Sequence, residues 1–168
     1  MIEIGAGILW VGDDVGMQSG MYISPQDFRD FLKPRYAHMF SEFRKVKKDI
    51  KIAYHSDGYM EPVIPDFIEI GLDILNPVQP SCMDPCEIKK KYGKHLTFWG
   101  TVDVQKVMPF GTSGEVISEV KERIKTVGPG GGFILCSAHC IQPTARAVDN
   151  IFAYYWAANK YAKYPINI

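Results

Sequence analysis

The chain has 168 residues, of which 46% are hydrophobic and 23% are charged, and its formal net charge is zero. This is the composition of an ordinary globular protein with a sizeable core, and the neutral balance excludes bulk charge as a means of binding nucleic acid or acidic membranes. Because no apolar run reaches the about 18 residues of a membrane span and the first residues lack a signal-peptide pattern, we expect a cytoplasmic protein with no membrane partner.

Short apolar runs and helical patterns alternate along the whole chain. In chain order, the pattern predicts a strand at 6–14, a helix at 24–48, a strand at 50–56, a helix at 60–71, a strand at 73–78, a helix at 84–93, a strand at 96–103, a helix at 112–128, a strand at 131–139 and a helix at 148–163. No composition break interrupts this series, so we expect a single domain over residues 1–168. The four cysteines do not suffice for a disulfide framework, and we expect them to be reduced.

Capping residues and a proline refine the helix predictions. Ser24 is a good N-cap for the first helix, and Thr112 with Glu115 forms a capping-box pattern for a later one. Pro34 lies near the middle of the first predicted helix and should interrupt or kink it, because proline cannot donate a backbone hydrogen bond.

The alternation of strands and helices indicates an α/β protein built from parallel βα units. Each predicted strand ends in polar or special residues, which are Asp13-Asp14, His55-Ser56-Asp57, Asn76 to Gln79, Trp99 to Asp103, and Ser137 to His139. In parallel α/β folds the ligand site lies at the carboxyl ends of the strands. These endings therefore favour a small-molecule site over a binding module.

Two histidines and a carboxylate are the main candidates for chemistry. His55 and His139 end two predicted strands, and Asp57 follows His55 by two residues. If they meet in one pocket, two imidazoles and a carboxylate suit zinc or another divalent transition metal. The same set could transfer protons or contact substrate, or the histidines could simply bind loop backbone.

Asp13 and Asp14 are adjacent at the end of the first predicted strand. In an extended chain one of the two side chains would face the pocket and the other the surrounding layer. A pocket carboxylate is a candidate acid or base, and the alternative is an acid that fixes the loop.

The four cysteines offer a competing metal site. Cys82 with Cys86, and Cys136 with Cys140, are two C-x3-C pairs that could bind zinc. Their spacing is wider than that of the usual zinc knuckle, and Cys136 falls in an apolar strand, where a small buried side chain is expected.

Four ordered blocks resemble the uroporphyrinogen decarboxylase superfamily, which includes the decarboxylase itself and cobamide-dependent methyltransferases that pass methyl groups to thiols such as coenzyme M. The blocks are "GDDVGMQSGMYISPQDFRDFLKPRY", "YHSDGYMEPVIPDFIEIGLDILNPVQP", "TFWGTVDVQKVMPFGT" and "GGFILCSAHCIQPTARAVDNI". The resemblance spans nearly the whole chain and implies a TIM-type (β/α)8 barrel with its site at the carboxyl ends of the strands.

The resemblance also implies roles for individual residues. The methyltransferases carry a His-x-Cys zinc motif and a later Cys, which correspond here to His55, Asp57 and the region of His139, with Cys140 one residue away. The decarboxylases carry a Gly-His-Gly-Ile block that "AHCI" resembles, and this also selects His139, whereas nothing here matches their arginine-rich motif. The substrate-binding candidates at or near the strand ends are Tyr54, Asn76, Gln79, Trp99, Asp103 and Gln142.

The number of strands is the largest departure from the family pattern. A complete barrel of this type has eight strands and about 250 residues, whereas this chain has five predicted strands in 168 residues. It resembles the C-terminal part of a barrel, and an open five-strand piece would expose apolar sheet edges. We therefore expect a fragment, a homo-oligomer, or a partner chain that supplies an N-terminal half-barrel.

Three functions are compatible with these patterns. The first is corrinoid-dependent methyl transfer to a small nucleophile at a metal held by His55, Asp57 and His139, with a corrinoid protein as partner. The second is decarboxylation of a tetrapyrrole without metal, with His139 and Asp13 or Asp14 managing protons. The third is a non-catalytic half-barrel that completes another protein.

Overall fold

The computed structural model describes residue 2, residues 5–166 and residue 168. They divide into two units, of which the first runs to Asn76 and includes Lys94–Leu96, while the second comprises Pro77–Gly93 and Thr97–Ile168. The single domain expected from the sequence stays a prediction.

The first unit is built on three parallel strands with helices between them. Its elements are β1 (Ile8–Gly12), β2 (Gly16–Met17), β3 (Gly20–Met21), α1 (Pro25–Asp27), a π-helical segment (Phe28–Leu32), α2 (Lys33–Val46), β4 (Lys51–His55), a 3-10 turn (Glu61–Val63), α3 (Ile64–Glu69) and β5 (Ile74–Asn76). Strand β4 pairs in parallel with both β1 and β5, and β2 and β3 form a small antiparallel hairpin. The hairpin was not predicted.

The first predicted helix contains a π-helical segment just before its proline. Ser24 caps α1 as predicted, with its side chain accepting the amide of Asp27 at 3.0 Å. The amide of Lys33 then bonds to the carbonyl of Phe28, five residues back. Pro34 has no amide to donate and its ring would crowd the preceding turn, so the wider π-turn accommodates it. The proline thus widens the helix where an interruption or a kink was predicted.

Aromatic side chains form the core between the strands and helices of the first unit. Phe67 of α3 lies 4.2 Å from the ring of Tyr54 on β4 and 5.1 Å from that of Phe28, measured between centroids. Tyr36 and Phe40 of α2 are also buried against this group. Successive strand residues point to opposite faces, so burying Tyr54 in this layer directs His55 to the other face.

The second unit continues the alternation of helices and parallel strands. Its elements are α4 (Pro85–Tyr92), β6 (Thr97–Trp99), α5 (Val107–Phe110), α6 (Ser113–Val127), β7 (Phe133–Ile134) and α7 (Ala147–Tyr161). Strands β6 and β7 are parallel, and the predicted capping box of Thr112 and Glu115 starts α6. The small residues Ala153 and Ala157 of α7 lie in one apolar cluster with the buried face of α6.

The last predicted strand is much shorter than its apolar run. Gly130, Gly131 and Gly132 have φ angles of 79°, 79° and 64°, which take the chain out of the extended region until Phe133. After Ile134 the ladder is interrupted, because the amides of both Thr101 and Val102 bond to the one carbonyl of Cys136. Parallel pairing returns as a single bridge between Val102 and Ser137.

All five predicted parallel strands are present and alternate with helices, which confirms the predicted α/β class and is consistent with part of a TIM-type barrel. Like the β2–β3 hairpin, the short helix α5 was not predicted from the sequence. Among the described residues, no helix is long and apolar enough to cross a membrane.

Candidate functional site

The carboxyl ends of the three strands in the first unit bring the candidate residues together. The parallel register pairs Gly12 of β1 with His55 of β4, and His55 with Asn76 of β5. A Cβ atom at Gly12 would lie 3.0 Å from the Cβ of His55, so glycine at this position leaves room for the imidazole. The three residues thus form one row at the strand ends.

The His55 imidazole lies between an amide and two carboxylates. Its Nδ1 lies 2.8 Å from Oδ1 of Asn76, while its Nε2 lies 4.0 Å from Oδ1 of Asp14 and 4.0 Å from Oδ2 of Asp57. The indole of Trp10 meets the imidazole edge-on, with 5.6 Å between ring centroids and 72° between planes. The side chain of His55 is 22% exposed, so Nε2 can reach a ligand in the cleft.

The loops that follow β1 and β4 hold each other in place. The backbone amide of Asp57 donates to Oδ1 of Asp14 at 2.9 Å, and the amide of Val15 donates to Oγ of the buried Ser56 at 3.0 Å. These two bonds cross in opposite directions between segments that are more than 40 residues apart in sequence. They fix the separation of the two acids around His55.

Two glycines let the β2–β3 hairpin pack against the loop that carries Asp57. Gly58 has a φ of 79°, and a Cβ atom there would lie 2.6 Å from backbone atoms of Met17. A Cβ at Gly16 would lie 2.6 Å from the carbonyl of Asp57. The amide of Tyr59 donates to the carbonyl of Met17 at 2.7 Å, so backbone contact anchors this loop.

A cleft of about 300 Å³ opens at this row of strand ends, and its lining residues are Trp10, Val11, Gly12, Asp13, Asp14 and His55. Its position at the carboxyl ends of parallel strands is the usual place for a ligand in α/β folds. A cleft of this size suits a small molecule or part of a larger one.

Asp13 and Asp14 differ in what their side chains contact. Asp14 faces His55 and the amide of Asp57, whereas the carboxylate of Asp13 accepts the hydroxyl of Tyr36 at 2.9 Å. The fully buried Tyr54 donates its hydroxyl to the backbone carbonyl of Asp13 at 2.7 Å and lies 3.1 Å from the hydroxyl of Tyr36. The tyrosine pair supports the end of β1 from the helix layer.

Burial alters the ionisation of both tyrosines. Desolvation raises the pKa of Tyr36 to about 12, and the hydrogen bond to Asp13 acts in the same direction. Desolvation also raises the pKa of Tyr54, and its close contact with the Tyr36 hydroxyl acts in the same direction. Each hydroxyl therefore keeps its proton well above the ordinary tyrosine value of about 10.

We expect the free energy of unfolding to fall steeply above pH 10. Because both pKa values are raised in the folded state, the unfolded chain loses these protons first, and stability present below about pH 10 is lost as pH rises toward about 12. The slope should approach about 1.4 kcal/mol per pH unit for each tyrosine. Urea unfolding from pH 8 to 11.5 measures it, and an equal slope in a Tyr36→Phe/Tyr54→Phe variant would contradict this explanation.

The second unit carries the remaining candidates on separate loops. Trp99 ends β6, and the carboxylate of Asp103 accepts the backbone amides of Gln105, Lys106 and Val107 at 2.8 to 3.2 Å before α5. His139 is exposed and follows Ala138, whose amide bonds to the carbonyl of Val102 at 2.9 Å. The other two candidates are the buried Gln79 and the exposed Gln142. The roles assigned to these residues from the sequence stay predictions, as do those of Tyr54 and Asn76.

None of the four cysteines lies in a disulfide. In the described part of the chain, no group of three or more cysteine sulfurs lies within ligand distance, which leaves the C-x3-C pairs without support as a zinc site. Cys86 lies in the first turn of α4, beyond its cap Asp84.

The donor atoms around His55 fit a divalent metal. Zinc binds imidazole nitrogen and carboxylate oxygen at about 2.0–2.2 Å, so two ligands of one ion lie up to about 4 Å apart. The separations of Nε2 from the oxygens of Asp14 and Asp57, both 4.0 Å, lie at the upper end of this range. One imidazole and two carboxylates are also ligands that zinc and related ions accept.

Three contributors to this site were not identified from the sequence. Trp10 contacts the imidazole, Ser56 joins the two loops, and Gly16 permits the close packing of the hairpin. Strand alternation could have identified Trp10, because it lies on the same face of β1 as Gly12. No local pattern marks the partner of Ser56.

Comparison with known proteins places the chain among characterised folds. The model of the family described as Uroporphyrinogen decarboxylase (URO-D) matches residues 1–161. A solved methyltransferase from Methanosarcina mazei has a similar fold, with a TM-score of 0.72 and 22% sequence identity over 96% of this chain and 44% of that one. No curated protein matches the chain. The chain therefore spans less than half the length of that methyltransferase.

Proposed function

Because the chain belongs to the uroporphyrinogen decarboxylase family, as the sequence blocks predicted, we propose that it contributes the nucleophile-binding site of a methyltransferase. A corrinoid would donate the methyl group, and a zinc or other divalent ion would bind at His55 and Asp57. The observation that carries the proposal is the placement of His55 Nε2 at 4.0 Å from two carboxylate oxygens in an open cleft. The methyltransferase with a similar fold is consistent with this choice among the family's activities.

The chain's own residues have distinct tasks in this proposal. His55 and Asp57 hold the ion, and His139 is the third ligand that the sequence and the family resemblance predict. The ion, when bound, supplies a Lewis acid that lowers the pKa of a small nucleophile such as a thiol. Asp14, at 4.0 Å from the same ring nitrogen, is assigned to accept the proton of the nucleophile.

The transfer itself is a substitution at the methyl carbon. The nucleophile would form the new bond to the methyl carbon, and the corrinoid would supply the methyl group as well as the acceptor for the electron pair of the bond that breaks. The proton leaves the nucleophile for Asp14. Asp13 and the tyrosines behind it keep the end of β1 in place, so that Asp14 stays directed toward His55.

Two titrations test this proposal. The purified protein should bind about one equivalent of zinc, cobalt or another divalent ion, measured by elemental analysis after equilibrium dialysis. A methylcorrinoid, alone or on its carrier protein, should change its visible spectrum when a thiol and this chain are added, together with any chain that completes its barrel. A protein that binds no divalent ion, and leaves the corrinoid spectrum unchanged, would contradict the proposal.

Metal-independent decarboxylation of a tetrapyrrole is the second candidate, because the matching family model is that of the decarboxylase and the cleft holds acid–base groups. His55, Asp13 and Asp14 line this cleft, and His139 is the histidine that the decarboxylase block selects. Release of carbon dioxide from a tetrapyrrole carboxylate, unaffected by chelators, would favour this activity over methyl transfer.

We further propose that another chain, either a second copy or an N-terminal half-barrel chain, covers the exposed face of β1. Ile8 and Trp10 are 46% and 59% exposed, and β1 pairs with β4 alone among the described strands of the first unit. Exposed apolar residues on an edge strand favour pairing with another chain.

In solution we therefore expect a particle heavier than the 19.0 kDa monomer. Light scattering measures this mass, and an Ile8→Lys/Trp10→Lys variant should shift it toward the monomer because charges disfavour burial of the strand. A stable wild-type monomer would contradict the expected self-association. Binding of a half-barrel chain without any activity of the pair would instead favour the non-catalytic partner function.

A further inference from the structure

We infer that Asn76 is a positioning residue, which holds the proton of neutral His55 on Nδ1 and keeps the lone pair of Nε2 directed toward Asp14 and Asp57. The contact that carries this inference is the 2.8 Å separation between His55 Nδ1 and Asn76 Oδ1. Its consequence for metal affinity rests on the proposed function, whereas the tautomer of His55 does not.

The backbone fixes the position of Asn76 relative to His55. The two residues are direct partners in the parallel pairing of β4 and β5. The amide of Ser56, the residue after His55, donates to the carbonyl of Asn76 at 3.0 Å. The Asn76 side chain is buried at the end of its strand, so its amide has little freedom to move away from the imidazole.

The chemistry of the two groups then determines the tautomer. A neutral imidazole donates a hydrogen bond from one nitrogen and accepts at the other, and an amide oxygen can only accept. With Oδ1 of Asn76 at 2.8 Å, Nδ1 of His55 must be the donor. The lone pair is then on Nε2, the atom that lies 4.0 Å from each carboxylate. Without such a partner, neutral histidine in water favours the opposite tautomer.

The ring orientation is restricted on two further sides. Trp10 contacts the imidazole edge-on, and the missing side chain of Gly12 leaves the space that the ring occupies. Asn76 selects the tautomer through its 2.8 Å contact with Nδ1, while Trp10 and Gly12 restrict rotation of the ring.

The tautomer can be measured without metal or substrate. In the metal-free protein with nitrogen-15-labelled histidine, long-range nitrogen–proton correlation spectra at pH 8.5 should show His55 with its proton on Nδ1. Comparison with His55→Ala assigns this signal among the four histidines. Asn76→Leu removes the acceptor at similar volume and should move the proton to Nε2, whereas Asn76→Asp retains an acceptor and should keep it on Nδ1.

Metal affinity gives the second readout. Zinc affinity is measured by competition with a chelator. It should fall by about 10–100-fold in Asn76→Leu, the usual effect of losing a residue that hydrogen-bonds a metal ligand. In Asn76→Asp it should stay within about threefold of the wild-type value. A proton on Nε2 in the wild-type protein, or an unchanged tautomer in Asn76→Leu, would overturn the inference. If the leucine variant does not fold, the wild-type tautomer decides alone. A wild-type protein that has the expected tautomer but binds no zinc would overturn the metal proposal and leave the positioning role intact.

Discussion

Replacing His55 with alanine should abolish stoichiometric binding of a divalent metal. His55 supplies the nitrogen that lies within 4.0 Å of both carboxylates, and no other imidazole nitrogen of the first unit is described beside them. Loss of a ligand should reduce the metal affinity by more than loss of a residue that only hydrogen-bonds a ligand, which costs about 10–100-fold. Elemental analysis and chelator competition on the purified variant measure the effect.

A second histidine in the same unit provides a matched control. His38 lies on α2 with a 77% exposed side chain and contacts Glu42 at 3.8 Å, remote in sequence from the strand ends. His38→Ala should retain the metal content and affinity of the wild-type protein. Equal losses in His38→Ala and His55→Ala would indicate nonspecific surface binding and would contradict a site at His55.

Replacing Asp66 with alanine should lower the free energy of unfolding more than replacing an exposed acid such as Glu69. The Asp66 carboxylate is 8% exposed and accepts Nε of Arg29 at 3.1 Å and Nζ of Lys33 at 2.9 Å. These bonds join α3 to the π-helical segment and α2. Removing the Asp66 carboxylate leaves the mostly buried Lys33 without the buried one of its two carboxylate partners. We therefore expect the free energy of unfolding to fall by about 2–4 kcal/mol.

Glu69 is the matched control because it contacts the same lysine. Its carboxylate lies 2.7 Å from Nζ of Lys33 but is 71% exposed, so Glu69→Ala should cost less than about 1 kcal/mol. Urea unfolding at pH 7 compares the two variants. If both lose the same stability, burial of Asp66 is not the reason for its importance.

The Asp66 contribution should also disappear in acid. Burial acts to raise the pKa of Asp66, but hydrogen bonds and charge attraction from Arg29 and Lys33 outweigh it and lower the pKa overall. The stabilisation is therefore complete above the unfolded value of about 3.9 and is lost as pH falls through the lower folded value. The stability difference between wild type and Asp66→Ala should narrow accordingly below pH 4.

The sequence predicted the fold class because its main signals are local. Apolar runs, caps such as Ser24 and Thr112, and strict alternation of strands and helices are each contained within a few residues. The polar endings of the strands also identified His55 and Asp57 as candidates, since parallel strands share one carboxyl edge. His55 lines the cleft, and Asp57 lies 4.0 Å from its Nε2.

Features that depend on distant pairing were not predictable in this way. The contact of His55 with Asn76 follows from a register between residues 21 positions apart. The hydrogen bond of Ser56 with Val15 spans 41 positions, and the close approach of Gly16 and Gly58 depends on the unpredicted hairpin. Such contacts require the folded pairing of strands, which composition and periodicity do not specify.

The ligand shell of the bound metal is the most direct test of the proposed site. X-ray absorption spectroscopy of the zinc-loaded protein should show only nitrogen and oxygen neighbours at about 2.0–2.2 Å, with imidazole scattering from His55 and His139. A sulfur neighbour at about 2.3 Å would show that a cysteine such as Cys140 binds the ion and would contradict the ligand set of His55, Asp57 and His139.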